Sequence, residues 1–272
     1  MYKETLETMG NLAEQKTKMI LEYPMRYLLS SSLAGAYVGF GIVLIFILGG
    51  QFSAVKSPFT TMIMGVSFAL ALLLVVFSGA ELFTGNHMIY TISTLSGKST
   101  IIDTLRNWVY CYAGNAFGAL VLCLLIIGSG IFSNLPMDHF LYEAANKKMH
   151  LSTSNLFFRG ILCNWLVCLA IWMAMKTKSE SAKIILIFWC LFAFVSSGYE
   201  HSIANMTVLL LALLLPHPET ITWAGLVHNL IPVTLGNIVG GALFVGAAYW
   251  FIGQPKRNLA IRKSKGKISM VK

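Results

Sequence analysis

A chain of 272 residues with 56% hydrophobic and only 11% charged side chains has too few polar groups to coat a water-soluble domain of that size. Its net charge of +9 would suit nucleic acid, but basic residues that flank apolar stretches more often face anionic lipid, so membrane lipid and not nucleic acid is the expected partner. The five cysteines, Cys111, Cys123, Cys163, Cys168 and Cys190, lie inside apolar segments without CxxC or Cys/His spacing; they read as packing thiols, and neither a disulfide framework, a metal site nor a cofactor is expected.

Residues 1–26 come first and are polar and amphipathic, with Lys3, Glu4, Glu7, Glu14, Lys16 and Lys18 and no apolar core ahead of a small-residue cleavage site, so a cleaved signal is not expected. This segment is expected along the cytoplasmic membrane surface, as an interfacial anchor or a pH-responsive plug. Six apolar stretches then reach the roughly 20 residues that a transmembrane helix needs: Tyr27 to Gly50, Thr61 to Thr94, Trp108 to Phe132, Leu156 to Met175, Ile184 to Leu215 and Ile221 to Ile252. The second and fifth exceed one span and contain polar residues, which predicts interrupted helices. The fold class expected is all-α integral membrane, with six transmembrane helices.

Sixteen of the twenty Lys and Arg residues fall in the N-terminal segment, in the connections between spans two and three and between four and five, and in the tail 256–272. Lys56, Lys147, Lys148 and Arg159 fall on the opposite side. The positive-inside rule therefore places both termini in the cytoplasm of a bacterial-type inner membrane.

The two halves repeat. Ser78 to Asn86 and Ser197 to Asn205 both read SGxExxxxN, and Asn107, Gly114, Asn115 and Gly118 recur at identical spacing as Asn229, Gly236, Asn237 and Gly240. Two such matches indicate structural repeats, dividing the chain into a cytoplasmic segment 1–26, a three-helix repeat 27–135, a second three-helix repeat 136–255 and a basic tail 256–272. Three spans per repeat invert the second relative to the first, and inverted repeats with broken helices place a permeation site near the midplane. The Gly, Asn, Glu and hydroxyl residues of the two motifs would be costly against lipid and should face a pore.

Each polar residue has a structural and a functional reading. Gly35 with Gly39, Gly114 with Gly118, and Gly236 with Gly240 are small-residue pairs that suit close helix contacts. Glu81 and Glu200 are either proton-carrying acids or, as preferred here, groups that hold backbone amides exposed by the break. Asn115 and Asn237 either join helices or donate hydrogen bonds to an anion. His201 stands where the first repeat has Leu82, and a titratable ring without a counterpart at the centre of an apolar passage points to function.

At these residues the sequence resembles the formate/nitrite transporter family over residues 5 to 255. The run from Ser197 to Met206 matches the family's hallmark and Glu81 to Thr84 its first-repeat counterpart, while residues 35–46 and 162–174 look closer to the nitrite than to the formate channels. The resemblance implies an aquaporin-like protomer with its own pore, assembled as a homopentamer, although neither Asn-Pro-Ala box of the aquaporins is present. It implies an outer constriction of Phe68 and Phe194, a cytoplasmic one of Leu72 and Leu82, and a chamber with His201 between them. Thr84 and Asn164 would offer hydrogen bonds near the inner slit, Lys148 would attract anions, and Asn115 and Asn237 would sit as the family's central amides do.

The function expected is a channel or transporter for small monovalent anions, nitrite first, with formate, hydrosulfide or lactate as alternatives. An anion in an apolar slit loses several kcal/mol of hydration, and His201 is expected to offset this by supplying charge or a proton, so that nitrite or formate passes as a neutral acid. Passive channel and proton-coupled carrier both fit the residues. An enzyme is not expected: an intramembrane hydrolase built on His201, Glu200 and Ser202 lacks an HExxH spacing, and only His87 could partner the ring.

Overall fold

The computed structural model describes residues 2–254; the basic tail 256–272 distinguished in the sequence lies outside them. Among the described residues the protein is all helix, without a strand. The N-terminal segment forms α1 (Lys3–Glu22), which buries Met9, Gly10 and Ala13 against its own protein. Tyr23 then breaks the helix, and Pro24 at the first helical position starts α2 (Pro24–Ala54), where its fixed φ is already suitable and its missing N–H costs nothing.

The second apolar stretch divides into α3 (Thr60–Ser78) and α4 (Phe83–Leu95). Thr100 and Asp103 form a reciprocal capping box that starts α5 (Ile101–Gly128), satisfying two amides that no helix turn can reach. A short α6 (Phe140–His150) precedes α7 (Thr153–Met175), which Ser152 caps. The fifth stretch divides into α8 (Glu180–Ser196) and α9 (Ser202–Leu214), and the sixth is α10 (Trp223–Gly241), a π-helical turn (Ala242–Ala247) and α11 (Ala248–Gly253).

Among the described residues five helices are long and apolar enough to cross a membrane: Pro24–Ala54, Thr60–Ser78, Ile101–Gly128, Thr153–Met175 and Trp223–Gly253. The fifth stretch of the sequence yields no single spanning helix, because its break leaves α8 with 17 residues and α9 with 13. Polarity is arranged for lipid. Asn86, Asn107, Asn115, Asn164, Asn205, Asn229 and Asn237 are all buried, whereas Leu124, Leu125, Trp189, Ile231 and Leu235 face outward, the distribution expected when the surrounding solvent cannot hydrogen-bond.

Small residues set how closely the helices approach. A Cβ on Gly118 would strike the Ser32 carbonyl of α2, and one on Gly240 the Ile161 carbonyl of α7, so the two glycine pairs on α5 and α10 serve backbone contact. The π-helical turn was not signalled by any period in the sequence. It lies against α4, where Gly246 meets Thr91 and the Met88 carbonyl.

Candidate functional site

The two breaks are built from the same parts. Gly79 ends α3 at φ 72° and Gly198 follows α8 at φ 71°, a left-handed turn that glycine adopts without a Cβ penalty. The residue two positions on is a glutamate in both, and its N–H reaches across to a neighbouring helix: Glu81 N donates to Ser30 O at 3.4 Å and Glu200 N to Arg159 O at 3.3 Å. One asparagine then clamps each break. Asn115 Oδ1 accepts Phe83 N at 2.9 Å while its Nδ2 donates to Ser31 O at 2.7 Å and Glu81 O at 2.9 Å. Asn237 Oδ1 accepts Ser202 N at 2.9 Å while its Nδ2 donates to Gly160 O at 2.8 Å and Glu200 O at 3.0 Å. Backbone groups that the breaks strip of helix partners are thus satisfied by two side chains, and both amides are turned to the chain rather than to the chamber.

Each glutamate meets a lysine. Lys16 Nζ of α1 lies 2.6 Å from Glu81 Oε2, and Lys148 Nζ of α6 lies 2.9 Å from both Glu200 carboxylate oxygens. Asn86 and Asn205, the last residues of the repeated motif, add Nδ2 donors to Glu81 at 3.2 Å and to Glu200 at 2.6 Å. The surroundings then diverge. Asn205 also donates directly to Asn229 Oδ1 at 2.8 Å, whereas Tyr27 Oη stands between Asn86 at 3.2 Å and Asn107 at 2.7 Å.

Between the breaks is an apolar chamber lined by Phe68, Leu72, Leu82, Phe194 and His201, together with Val38, Ala71, Val167 and Leu191. Its free volume of about 10 Å³ has room for roughly one water molecule. The Phe68 and Phe194 rings meet edge to face at a centroid separation of 5.5 Å, and His201 stacks on Phe194 at 6.1 Å. Beyond the aromatic pair opens a vestibule of about 520 Å³ bordered by Glu143, Lys147, Lys148, Arg159 and Glu200.

His201 is the N-cap of α9. Ala204 N donates to its Nδ1 at 3.2 Å, and its Nε2 lies 3.1 Å from Thr84 Oγ1. Because a backbone N–H occupies the Nδ1 lone pair, the ring hydrogen belongs on Nε2 and points to the threonine hydroxyl. Asn164 is turned away from the chamber: its Nδ2 bonds Asn237 O at 2.6 Å and Thr84 O at 3.2 Å, with His87 Nδ1 at 3.0 Å. Ser202 Oγ has no hydrogen-bond partner, so this serine is not coupled to His201.

The site residues read from the sequence therefore fall into three groups. Phe68, Leu72, Leu82, Phe194 and His201 share the chamber, and Thr84 is bonded to the histidine ring. Lys148 and Glu200 are paired at the vestibule, and Asn115, Asn164 and Asn237 are engaged with backbone. Sequence reasoning missed Lys16 as the partner of Glu81 and missed Asn86, Asn205 and Tyr27. The motif itself contained Asn86 and Asn205; nothing local marked Lys16 or Tyr27.

Broken apolar helices closing on a small apolar chamber beneath a polar vestibule define a membrane channel or transporter. The profile described as formate/nitrite transporter matches residues 3–251. The nitrite transporter NirC of Escherichia coli (strain K12) is 42% identical over 95% of this chain and 94% of its own. A solved structure described as an FNT family ion channel superposes with a TM-score of 0.88 at 40% identity, covering 93% of this chain and 100% of that one. A pentameric formate channel with formate bound gives a TM-score of 0.72 at 31% identity, over 84% of this chain and 96% of that one. The chain belongs to the formate/nitrite transporter family, whose members here are transporters and channels rather than enzymes.

Proposed function

We propose that this chain conducts small monovalent anions across a bacterial inner membrane, nitrite first and formate as the alternative. Its two three-helix halves, 27–135 and 136–255, lie inverted about an axis in the membrane plane, both termini are cytoplasmic, and the protomers assemble as a homopentamer, as in the formate channel it resembles. Phe68 and Phe194 form the outer constriction and Leu72 and Leu82 the inner one. The observation that carries this reading is His201, the polar side chain in an otherwise apolar chamber, bonded to Ala204 N and Thr84 Oγ1.

An anion entering a chamber with room for roughly one water loses most of its hydration, at a cost of several kcal/mol. Permeation is therefore linked to a proton. A proton arriving at His201 Nδ1 displaces the Ala204 N–H, and the Nε2 hydrogen then passes to the anion, which crosses the leucine constriction as nitrous or formic acid. The ring is left neutral with its hydrogen on Nδ1, and exchange with water restores the starting tautomer.

The test is stopped-flow flux in proteoliposomes with nitrite, formate, chloride and glycerol, comparing wild type with His201→Phe. Selective nitrite or formate flux, lost at least tenfold in the acid-driven direction for the variant, supports the reading. Acid-driven uptake at wild-type rates in His201→Phe removes the histidine from the mechanism, and glycerol flux in the wild type removes the anion reading itself.

A further inference from the structure

Arg159, at the vestibule, carries a charge that the fold does not require. Lys148 is neutralised by Glu200, with Nζ 2.9 Å from both carboxylate oxygens. At position 159 the fold uses the backbone: the Arg159 carbonyl accepts Glu200 N at 3.3 Å, and the following Gly160 carbonyl accepts Asn237 Nδ2 at 2.8 Å. In the other half the same two acceptors are Ser30 O, at 3.4 Å from Glu81 N, and Ser31 O, at 2.7 Å from Asn115 Nδ2. A serine is sufficient there. The guanidinium is therefore an addition to the break, confined to the half that faces the vestibule.

Its geometry fits a ligand. Nη1 donates to Gly198 O at 3.3 Å, which holds the guanidinium beside the break, and among the described residues no carboxylate pairs with it. Arg159 also borders the 520 Å³ vestibule that the Phe68 and Phe194 rings line. A guanidinium is a planar fork that two coplanar oxygens of one anion can bridge, which an ammonium cannot reproduce. Nitrite and formate both present two such oxygens; hydrosulfide and chloride do not.

We infer that Arg159 is the outer docking group for planar two-oxygen anions, selecting them by shape before they reach the aromatic constriction. Lys147, exposed at the same vestibule, contributes charge without shape. The inference rests on the nitrite and formate reading above. In proteoliposomes, Arg159→Lys keeps the charge and removes the fork, Arg159→Ser restores the residue of the other half, and Lys147→Gln removes an undirected charge.

Arg159→Lys should raise the half-saturating concentrations of nitrite and formate about fivefold, the loss of roughly one charge-assisted hydrogen bond. With nitrite held at its half-saturating concentration in each protein, the hydrosulfide needed to halve its uptake should not change. Arg159→Ser should weaken nitrite and formate further, and Lys147→Gln should give a smaller effect that 0.5 M salt abolishes. Unchanged saturation in Arg159→Lys removes the inference alone, as does an equal loss for every anion, which would assign Arg159 to holding the Gly198 turn. A wild type that carries neither nitrite nor formate removes the proposed function, and this inference with it.

Discussion

The break at Glu81 and the break at Glu200, inner and outer in the proposed orientation, share one backbone solution but are locked from different places. Both have a left-handed glycine, a glutamate whose N–H crosses to the neighbouring helix, and an asparagine bonded to three backbone groups. The inner glutamate takes its lysine from α1, at the start of the chain, and shares Tyr27 with Asn86; the outer one takes it from α6, immediately before the helix it packs on. What the two breaks have in common is what a broken helix in lipid must have, since unpaired backbone groups there are costly. What differs is free to serve transport: Leu82 against His201, and Ser30 against Arg159.

The sharpest way to break this comparison is to remove the shared clamp. Asn115→Leu and Asn237→Leu each leave one N–H of a break buried without its acceptor and take a donor from two carbonyls, a cost of about 2–4 kcal/mol. Both should abolish recovery of assembled protein by size-exclusion chromatography, to the same degree. If Asn237→Leu were purified intact while Asn115→Leu was not, the clamps would not be equivalent and the outer asparagine would be available for anion contact.

The lysines should separate the two sites. Glu200 retains 4% of its side-chain exposure and Glu81 12%, so the outer carboxylate depends more on its partner. Lys148→Met should destabilise the protein by about 2–4 kcal/mol and Lys16→Met by roughly half of that, between the values for buried and exposed pairs. Thermal unfolding in detergent checks the order. A reversed order would make α1 the stronger lock, with the inner break held mainly by the N-terminal helix.

Much of this arrangement was legible in the sequence. The repeated SGxExxxxN interrupts long apolar runs with residues that lipid does not tolerate, so both breaks were visible from composition alone, and the lone histidine was visible as a departure from the repeat. The resemblance assigned Phe68 and Phe194 to one constriction and Leu72 and Leu82 to another; in the structure all four line a single small chamber. The Lys16 contact was not legible, because a pair separated by 65 residues leaves no periodic trace and a polar N-terminal segment reads as surface. Nor was the direction in which Asn115, Asn164 and Asn237 point. An asparagine that clamps backbone and one that binds an anion have the same side chain in the same helix, and only the positions of the carbonyls around it distinguish them. The π-helical turn likewise follows from packing against α4 rather than from any local preference.

The smallest effect gives the cleanest test of equivalence. An added Cβ at Gly79 or Gly198 meets nothing within 4 Å, so alanine at either position introduces no clash and removes no contact. What remains is the backbone: φ of 72° and 71° is left-handed for an L residue, at roughly 1–2 kcal/mol. Gly79→Ala and Gly198→Ala should therefore lower stability by equal amounts in that range, and the double variant should show their sum, because the breaks are clamped by separate asparagines. Equal single effects with an additive double would mean that each turn is set by its own half of the chain. A double variant less stable than the sum by about 1 kcal/mol or more would instead couple the two turns through the chamber between them, and a strain applied at one mouth of the pathway would then be felt at the other.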